Sequence, residues 1–211
     1  MTGPGEAPAR EVLIARHGHA LCNERHIISG PNCEGLTDLG RAQAHALGDR
    51  LAAAGNVTAI HASTTPRAME TARIVGRILG HQVHAEQDLR VPDPGQAEGR
   101  SWREARQDWP TDPDYPTRPL APQGETWTDY LTRAGRRLDT LLGEHPGGRV
   151  LVFGHTETAT AMLTVILGTA DLGRLKLGLD HCATSTWRTA REWPGVTATR
   201  QRWTLTSHNR A

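Results

Sequence analysis

The stretch Val12-Leu13-Ile14-Ala15-Arg16-His17-Gly18 joins a short apolar run to an arginine, a histidine and a glycine. Such a run before a polar, glycine-containing segment predicts a buried strand that ends at Arg16. A second apolar run, Val150-Leu151-Val152-Phe153, ends just before Gly154 and His155. Because the carboxyl ends of neighbouring parallel strands open onto one crevice, we expect His17 and His155 to face a single ligand.

Helices and strands alternate along the rest of the chain. Strands are predicted over 11–16, 57–62 and the residues before His155, with two further strands over 182–188 and 196–205 joined through Pro194-Gly195. Helices are predicted from Thr37 to Gly55, from Pro66 to Gly80, over 125–142 and over 156–167, and the first of them is expected to bury Leu39, Ala42, Ala46, Leu47 and Leu51. This order predicts an α/β fold: a three-layer sandwich with a mostly parallel central sheet, helices on both faces and a C-terminal hairpin.

A chain of 211 residues is long enough for one domain with its own core, predicted over 11–211. Residues 1–10 are rich in Gly, Pro and Ala and are expected to form a frayed tail. The segment 88–123 holds seven of the thirteen prolines and only one weak helical stretch, around 101–108. It is predicted to form a lid or wall over the site.

Charge and cysteine usage exclude several classes of protein. The 24 basic and 23 acidic residues give a net charge of +1, so no global field favours nucleic acid or an anionic membrane. No segment has the apolar length of a membrane helix. The three cysteines are widely separated and form no CxxC pair, which argues against a disulfide framework and favours a cytoplasmic protein. No cofactor is predicted, and the oligomeric state stays open, a dimer included.

Two imidazoles beside arginines suit phosphoryl transfer, which needs a nucleophile, fixed positive donors and an acid for the departing alcohol. A neutral His17 can attack phosphorus if its other ring nitrogen is held protonated by a carbonyl oxygen. Arg16 and Arg67 can each offer a planar fork to phosphate oxygens. Arg67 follows the second predicted strand and so should reach the same crevice.

Four blocks of residues, in this order and spacing, resemble the histidine phosphatase superfamily, the group that includes the cofactor-dependent phosphoglycerate mutases. The matching residues are Arg16-His17-Gly18 with Asn23; Leu36-Thr37, Gly40-Arg41 and Gln43-Ala44; Ser63, Arg67-Ala68 and Thr71-Ala72; and Gly154-His155. Together they span nearly the whole chain.

The resemblance implies a metal-independent phosphatase that hydrolyses a small phosphomonoester through a phosphohistidine on His17. It implies that Arg16, Arg67 and His155 bind the phosphoryl oxygens. The predicted substrate contacts are Asn23, Gly30 and Thr156. A mutase-like phosphoryl transferase, and a phosphate-binding or regulatory protein that has lost turnover, are the alternative functions.

The general acid is the main departure from the family pattern. The position that carries a glutamate in the mutase-like branch is Val91 here, and valine cannot donate a proton. Asp93, Glu98 and Glu157 are the candidate substitutes. His19 and Glu70 also replace residues that are usual in the family.

Simpler interpretations exist for several of these residues. Asn23 could cap a turn, Glu157 could be a solvated residue of a helix first turn, and Arg67 could pair with Glu70 or Glu98 at the surface. A metal site built from His17, His19 and His26, or from His155 and Glu157, matches no zinc spacing, and two arginines would repel a cation.

Overall fold

The computed structural model describes residues 10–110, 116–170, 172, 175–189 and 203–211. Six strands form one mixed sheet: β1 (Arg10–Arg16), β2 (Val57–Ser63), β3 (Val83–Glu86), β4 (Gly148–Gly154), β5 (Thr184–Thr189) and β6 (Trp203–Arg210). Their spatial order is β3-β2-β4-β1-β5-β6. The first four strands are mutually parallel where they pair, while β5 and β6 are antiparallel to their neighbours.

In the part of the chain that the structure describes, the α-helices are α1 (Leu21–Glu24), α2 (Asp38–Ala54), α3 (Pro66–Leu79), α4 (Trp102–Asp108), α5 (Trp127–Glu144) and α6 (Thr156–Leu167). Local sequence explains most of their ends. The Thr37 hydroxyl accepts the Gly40 N–H at 3.1 Å at the start of α2, Pro66 opens α3, and Gly80 ends α3 in the left-handed region at φ 72°. The fold is therefore the α/β architecture expected, with its helix bounds close to those predicted.

Alternation along the central strands divides the core into two layers. Val12 and Ile14 of β1, with Val150 and Val152 of β4, pack against α5 and α6. The intervening side chains of the same two strands, such as Leu13 and Phe153, pack against α2 and α3. Both faces of the sheet are thus covered, as a near-continuous apolar run predicts.

The buried face of α2 differs from the predicted one. Leu39 is 57% exposed and Ala42 and Ala46 are exposed, whereas Gly40, Ala44 and Gly48 are buried with Leu47 and Leu51. The reason is close packing rather than hydrophobicity. A Cβ on Gly48 would overlap Ile78 of α3, so small residues define the contact face of this helix.

The second C-terminal strand ends later than predicted. It runs to Arg210 rather than Leu205, and Trp187 of β5 pairs with Leu205 of β6. The predicted hairpin turn at Pro194-Gly195, the strand residues 196–202 and the predicted tail up to residue 9 lie outside the described residues.

The three cysteines are free and buried, and two of them lie close together in space. The sulfur atoms of Cys22 and Cys33 lie 3.2 Å from each other, which the sequence analysis did not predict. Within the described ranges, no helix has the length and apolar character needed to span a membrane.

Candidate active site

The site lies where the carboxyl ends of β1, β2 and β4 meet. The chain runs from β1 to β2 and β3 on one side, then returns through α5 to insert β4 between β1 and β2. This reversal of strand order opens a crevice at the ends of the central strands. A cavity of about 360 Å³ occupies that region, and its lining includes Arg16, His17, Arg67 and His155. The four residues predicted to converge therefore do so.

His17 is held as an oriented, neutral imidazole. Its backbone N–H donates to the Gly154 carbonyl at 3.0 Å, and its Nδ1 lies 2.8 Å from the Gly18 carbonyl oxygen. That contact places the ring proton on Nδ1, so Nε2 carries the lone pair, which accepts a hydrogen bond from Arg67 Nε. Burial, followed by the charge of Arg67 and the proximity of His155, holds the pKa of His17 well below its usual range.

Arg67 is the positive group nearest the free nitrogen of His17. Its Nε lies 3.2 Å from His17 Nε2, and its two Nη atoms donate to the carbonyl oxygens of Gly30 and Ser29 at 3.0 and 3.1 Å. The side chain is only 3% exposed, so the alternative of a surface arginine paired with Glu70 or Glu98 is wrong. Glu70 instead binds Arg41.

The two ring nitrogens of His155 differ in their hydrogen bonding. Its Nε2 lies 3.1 Å from Ser63 Oγ and 3.3 Å from Thr65 Oγ1, while its buried Nδ1 has no hydrogen-bond partner among the described residues. Burial, Arg67 and Arg16 lower the pKa of this imidazole well below its usual range. Hydroxyl donation to Nε2 leaves the proton on Nδ1, which can then donate to an anion.

The glycine after His17 is required by a close approach of the backbone. A Cβ on Gly18 would lie 2.5 Å from the Gly40 carbonyl oxygen, and a Cβ on Gly40 would overlap the His19 carbonyl oxygen. The Gly18 N–H also donates to the Thr71 hydroxyl at 3.0 Å. The loop after β1 is thereby fixed to both α2 and α3.

The three predicted substrate contacts lie in different surroundings from one another. Asn23 lines the cavity, and its Oδ1 accepts the Ala20 N–H at 3.0 Å, so it also caps the turn as the simpler interpretation expected. Thr156 lines the cavity too, with its hydroxyl 3.3 Å from the Leu179 carbonyl oxygen. Gly30 is absent from the lining, and its carbonyl oxygen accepts a hydrogen bond from Arg67, so its contact with a substrate stays a prediction.

The three candidate acids differ in their position relative to the cavity and in their hydrogen bonds. Glu98 lies outside the lining, and its carboxylate accepts the N–H groups of Gly30 and Asn32, so it positions the loop that binds Arg67. This placement does not favour Glu98 as the general acid, and that candidate role stays a prediction. Asp93 lines the cavity, and its Oδ1 accepts the Gly95 N–H at 2.9 Å.

Glu157 also lines the cavity, as the second residue of α6. No hydrogen-bond partner of its carboxylate is found within the described ranges, although its charge raises the pKa of Arg16, which burial lowers more strongly. Val91 lines the same cavity, so an apolar side chain stands in the lining where the family pattern has an acid.

Two residues near the site were missed by the sequence analysis. His181 Nε2 lies 3.1 Å from Asn23 Oδ1, and its ring centre is 5.7 Å from that of His17. Burial, Arg16 and His19 lower the pKa of His181 to about 4. Its position before β5 was a usable signal, because an antiparallel strand begins at the edge where parallel strands end. Glu125, the other, lines the cavity and pairs with Arg133.

The histidines near His17 do not form a metal centre in the geometry observed. Among the residues that the structure describes, no group of three or more His, Cys, Asp or Glu side chains is arranged to hold a metal ion.

The chain is similar to several proteins of known family. It is 33% identical over 190 residues to the bifunctional protein Rv2228c of Mycobacterium tuberculosis, covering 84% of this chain and 51% of that protein. It is 29% identical over 185 residues to the probable phosphoglycerate mutase GpmB of Erwinia tasmaniensis, with 83% of each protein covered. The chain thus spans about half the length of the first of these relatives.

Solved structures agree on the fold. A mycobacterial glucosyl-3-phosphoglycerate phosphatase, Rv2419c, superposes with a TM-score of 0.79 at 22% identity, covering 96% of this chain and all of that one. Bacillus stearothermophilus YhfR superposes with a TM-score of 0.78 at 25% identity, covering 96% and 98% of the two chains. Residues 12–202 match the family model of the histidine phosphatase superfamily, branch 1. The chain belongs to the histidine phosphatase superfamily.

Proposed function

We propose that this protein is a phosphatase that hydrolyses a small phosphomonoester through a covalent phosphohistidine on His17, without a metal ion. The observation that carries the proposal is the state of His17. Its Nδ1 is bonded to a carbonyl oxygen, its Nε2 is free of a ring proton, and Arg67 lies 3.2 Å from that nitrogen. A nucleophile and a phosphate-binding cation thus share one point in the cavity.

The first step transfers the phosphoryl group to the protein. His17 Nε2 attacks phosphorus, the bond from phosphorus to the ester oxygen breaks, and that oxygen takes a proton from an acid. Arg16, Arg67 and the Nδ1–H of His155 stabilise the charge on the non-bridging oxygens. Water then attacks the phosphohistidine, which releases inorganic phosphate and restores His17.

We infer that Glu157 is the proton donor for the departing oxygen. Three carboxylates line the cavity: Glu125 is held by Arg133, one Asp93 oxygen accepts the Gly95 N–H, and Glu157 has no hydrogen-bond partner within the described ranges. Glu157 remains for the leaving group. A general acid is worth about 10² to 10⁴ in rate, most for leaving groups of high pKa.

Names of relatives support the chemistry at the level of class. One similar chain is called a probable phosphoglycerate mutase and one similar fold a glucosyl-3-phosphoglycerate phosphatase. A phosphoryl transferase is therefore the second candidate, favoured by the former relative. Hydrolysis remains the first candidate function, because Val91 lines the cavity at the position where the mutase-like branch carries an acid. The cytoplasmic location and a dimeric state stay predictions.

The test is release of inorganic phosphate from an aryl phosphate in the presence of a chelator. We expect release by the wild-type chain, its loss of at least about 10³-fold in His17→Ala, and acid-labile phosphate on the wild-type protein after rapid quenching. His45→Ala, a change of an exposed histidine on α2, serves as the matched control and should retain activity. Chelator-sensitive release would revive a metal mechanism. Phosphate binding without release would support a regulatory protein, and transfer to an added phosphoglycerate without release would support a mutase.

A further inference from the structure

The cavity combines a buried cationic end with an apolar wall. His17, Arg67 and His155 are each at most 3% exposed, so the phosphoryl group must enter deeply. The wall comes from residues 91–94, 102 and 118–127. Its apolar lining side chains are Val91, Pro92, Pro94, Trp102, Leu120 and Trp127. This wall lies where the ester portion of a substrate must extend once its phosphate reaches His17.

The two tryptophans of the wall are not equivalent. The Trp127 ring stacks on Tyr130 with ring centres 5.3 Å apart, and Lys176 Nζ lies 5.9 Å from the Trp127 ring centre. Trp127 is thus already packed within the protein. Trp102 is 47% exposed, and within the described ranges its indole has no ring or cation partner.

The backbone that carries Trp102 is nevertheless well ordered by local hydrogen bonds. Trp102 is the first residue of α4, and the Ser101 hydroxyl accepts the Glu104 N–H at 3.2 Å while the Glu104 carboxylate accepts the Ser101 N–H at 2.9 Å. This reciprocal capping fixes the start of the helix. An indole held at a cavity mouth by a fixed backbone can stack on a ligand at a low cost in entropy.

The charged residues of the same wall, Asp93, Arg118 and Glu125, already have partners within the protein. The Glu125 carboxylate is held by Arg133, and one Asp93 oxygen by the Gly95 N–H. A sugar-like leaving group would bring several hydroxyls against apolar side chains. Each hydroxyl that loses water without a new partner carries a free-energy cost.

We propose that Trp102 stacks on the alcohol portion of the substrate and thereby selects phosphomonoesters in which that portion is a flat, apolar group such as an aromatic ring. The inference rests on the proposed phosphatase activity and adds its substrate class. A volume of about 360 Å³ is enough for a phosphate and one small ring system.

The experiment compares kcat/KM for naphthyl phosphate, phenyl phosphate and glycerol phosphate. The two aryl esters have phenolic leaving groups of similar acidity, so their ratio reports contact with the second ring rather than chemistry. The variants are Trp102→Ala and Trp102→Phe, with Leu205→Ala as the control for loss of an exposed apolar side chain away from the cavity. Circular dichroism checks that each variant is folded.

We expect the wild-type protein to prefer naphthyl to phenyl phosphate and both to glycerol phosphate. Trp102→Ala should lower the naphthyl-to-phenyl ratio about 3- to 10-fold, whereas Trp102→Phe and Leu205→Ala should keep most of it. An unchanged ratio in Trp102→Ala, or a wild-type preference for glycerol phosphate, would overturn the proposal. Absence of His17-dependent release from all three esters would instead reject the phosphatase activity itself.

Discussion

The ring of His17 is oriented by one hydrogen bond on each side. Gly18 holds Nδ1 through its carbonyl oxygen, and Arg67 approaches Nε2. The low pKa of His17 means that the ring is neutral, and therefore nucleophilic, at pH values below its usual pKa of about 6.5. His155 is kept neutral by the same charges and by burial. Both histidines can thus act at neutral pH without first losing a proton.

Glu157 is the residue whose role is most directly testable. Glu157→Gln removes the proposed proton donor with little change of shape, so kcat should fall at least about 10²-fold for an alkyl phosphate and much less for a nitrophenyl phosphate. Asp93→Asn is the matched control, since an amide oxygen can still accept the Gly95 N–H. Equal losses on both substrates in Glu157→Gln, or a larger loss in Asp93→Asn, would assign the acid elsewhere.

At the scale of elements, the site depends on how closely α2 approaches the loop after β1. Gly40 in the first turn of α2 contacts the backbone of His19, and Gly18 contacts the Gly40 carbonyl. The Thr37 hydroxyl, which caps α2, also donates to the His19 carbonyl oxygen at 3.1 Å. The start of this helix therefore determines where the loop that begins at His17 lies.

Gly40→Ala is expected to damage both stability and activity. Its methyl group would overlap the His19 carbonyl, so the loop must shift or the helix must retreat. We expect a loss of about 1–3 kcal/mol in the free energy of unfolding and a fall in kcat of at least 10-fold. Urea denaturation and steady-state kinetics measure the two effects.

Gly143→Ala in α5 is the matched control, because a Cβ there meets nothing within 4 Å. This change should be neutral or stabilise the protein by about 0.5–1 kcal/mol. If Gly40→Ala behaved like Gly143→Ala, the close approach of α2 would not be essential.

At the scale of the whole molecule, the positive and negative charges nearly cancel, and several histidines are buried. The net charge is only +1, so attraction of an anion depends on the local placement of Arg16 and Arg67. Burial is the largest cause that lowers the pKa values of four histidines: His17, His61, His155 and His181. His61 lies away from the catalytic cavity, between Glu86 and His145.

These shifts predict that the protein loses stability in mild acid. Below about pH 6.5 the unfolded chain protonates these histidines while the folded chain does not, so the free energy of unfolding falls with pH. For His181 the loss continues until its folded pKa of about 4. Urea denaturation at pH 7.5, 6 and 5 should show a fall of about 2 kcal/mol or more between the first and last.

His181→Asn should flatten part of that dependence, and His45→Gln, at an exposed position of α2, serves as its control. A free energy of unfolding that is level between pH 7.5 and 5 would contradict the predicted histidine shifts.

Much of the fold and of the site was predictable from the chain alone. Apolar runs identified β1, β2 and β4, and the residues at their ends, His17, Arg67 and His155, converge as predicted. The reason is that strand burial and the parallel connection rule act on short, local patterns. The same locality explains why the ends of α3 and α6 were predicted closely, since capping residues mark them.

Tertiary structure alone decided the contacts between side chains distant in sequence. The small-residue face of α2, the diversion of Glu98 to the Gly30 loop, and the contact between Cys22 and Cys33 have no local signal. Each depends on how closely two segments approach, a distance set by packing of the whole core. The sequence could therefore identify His17, Arg67 and His155 as groups that converge at one edge of the sheet, whereas only the three-dimensional arrangement shows which lining carboxylates are bonded to other groups.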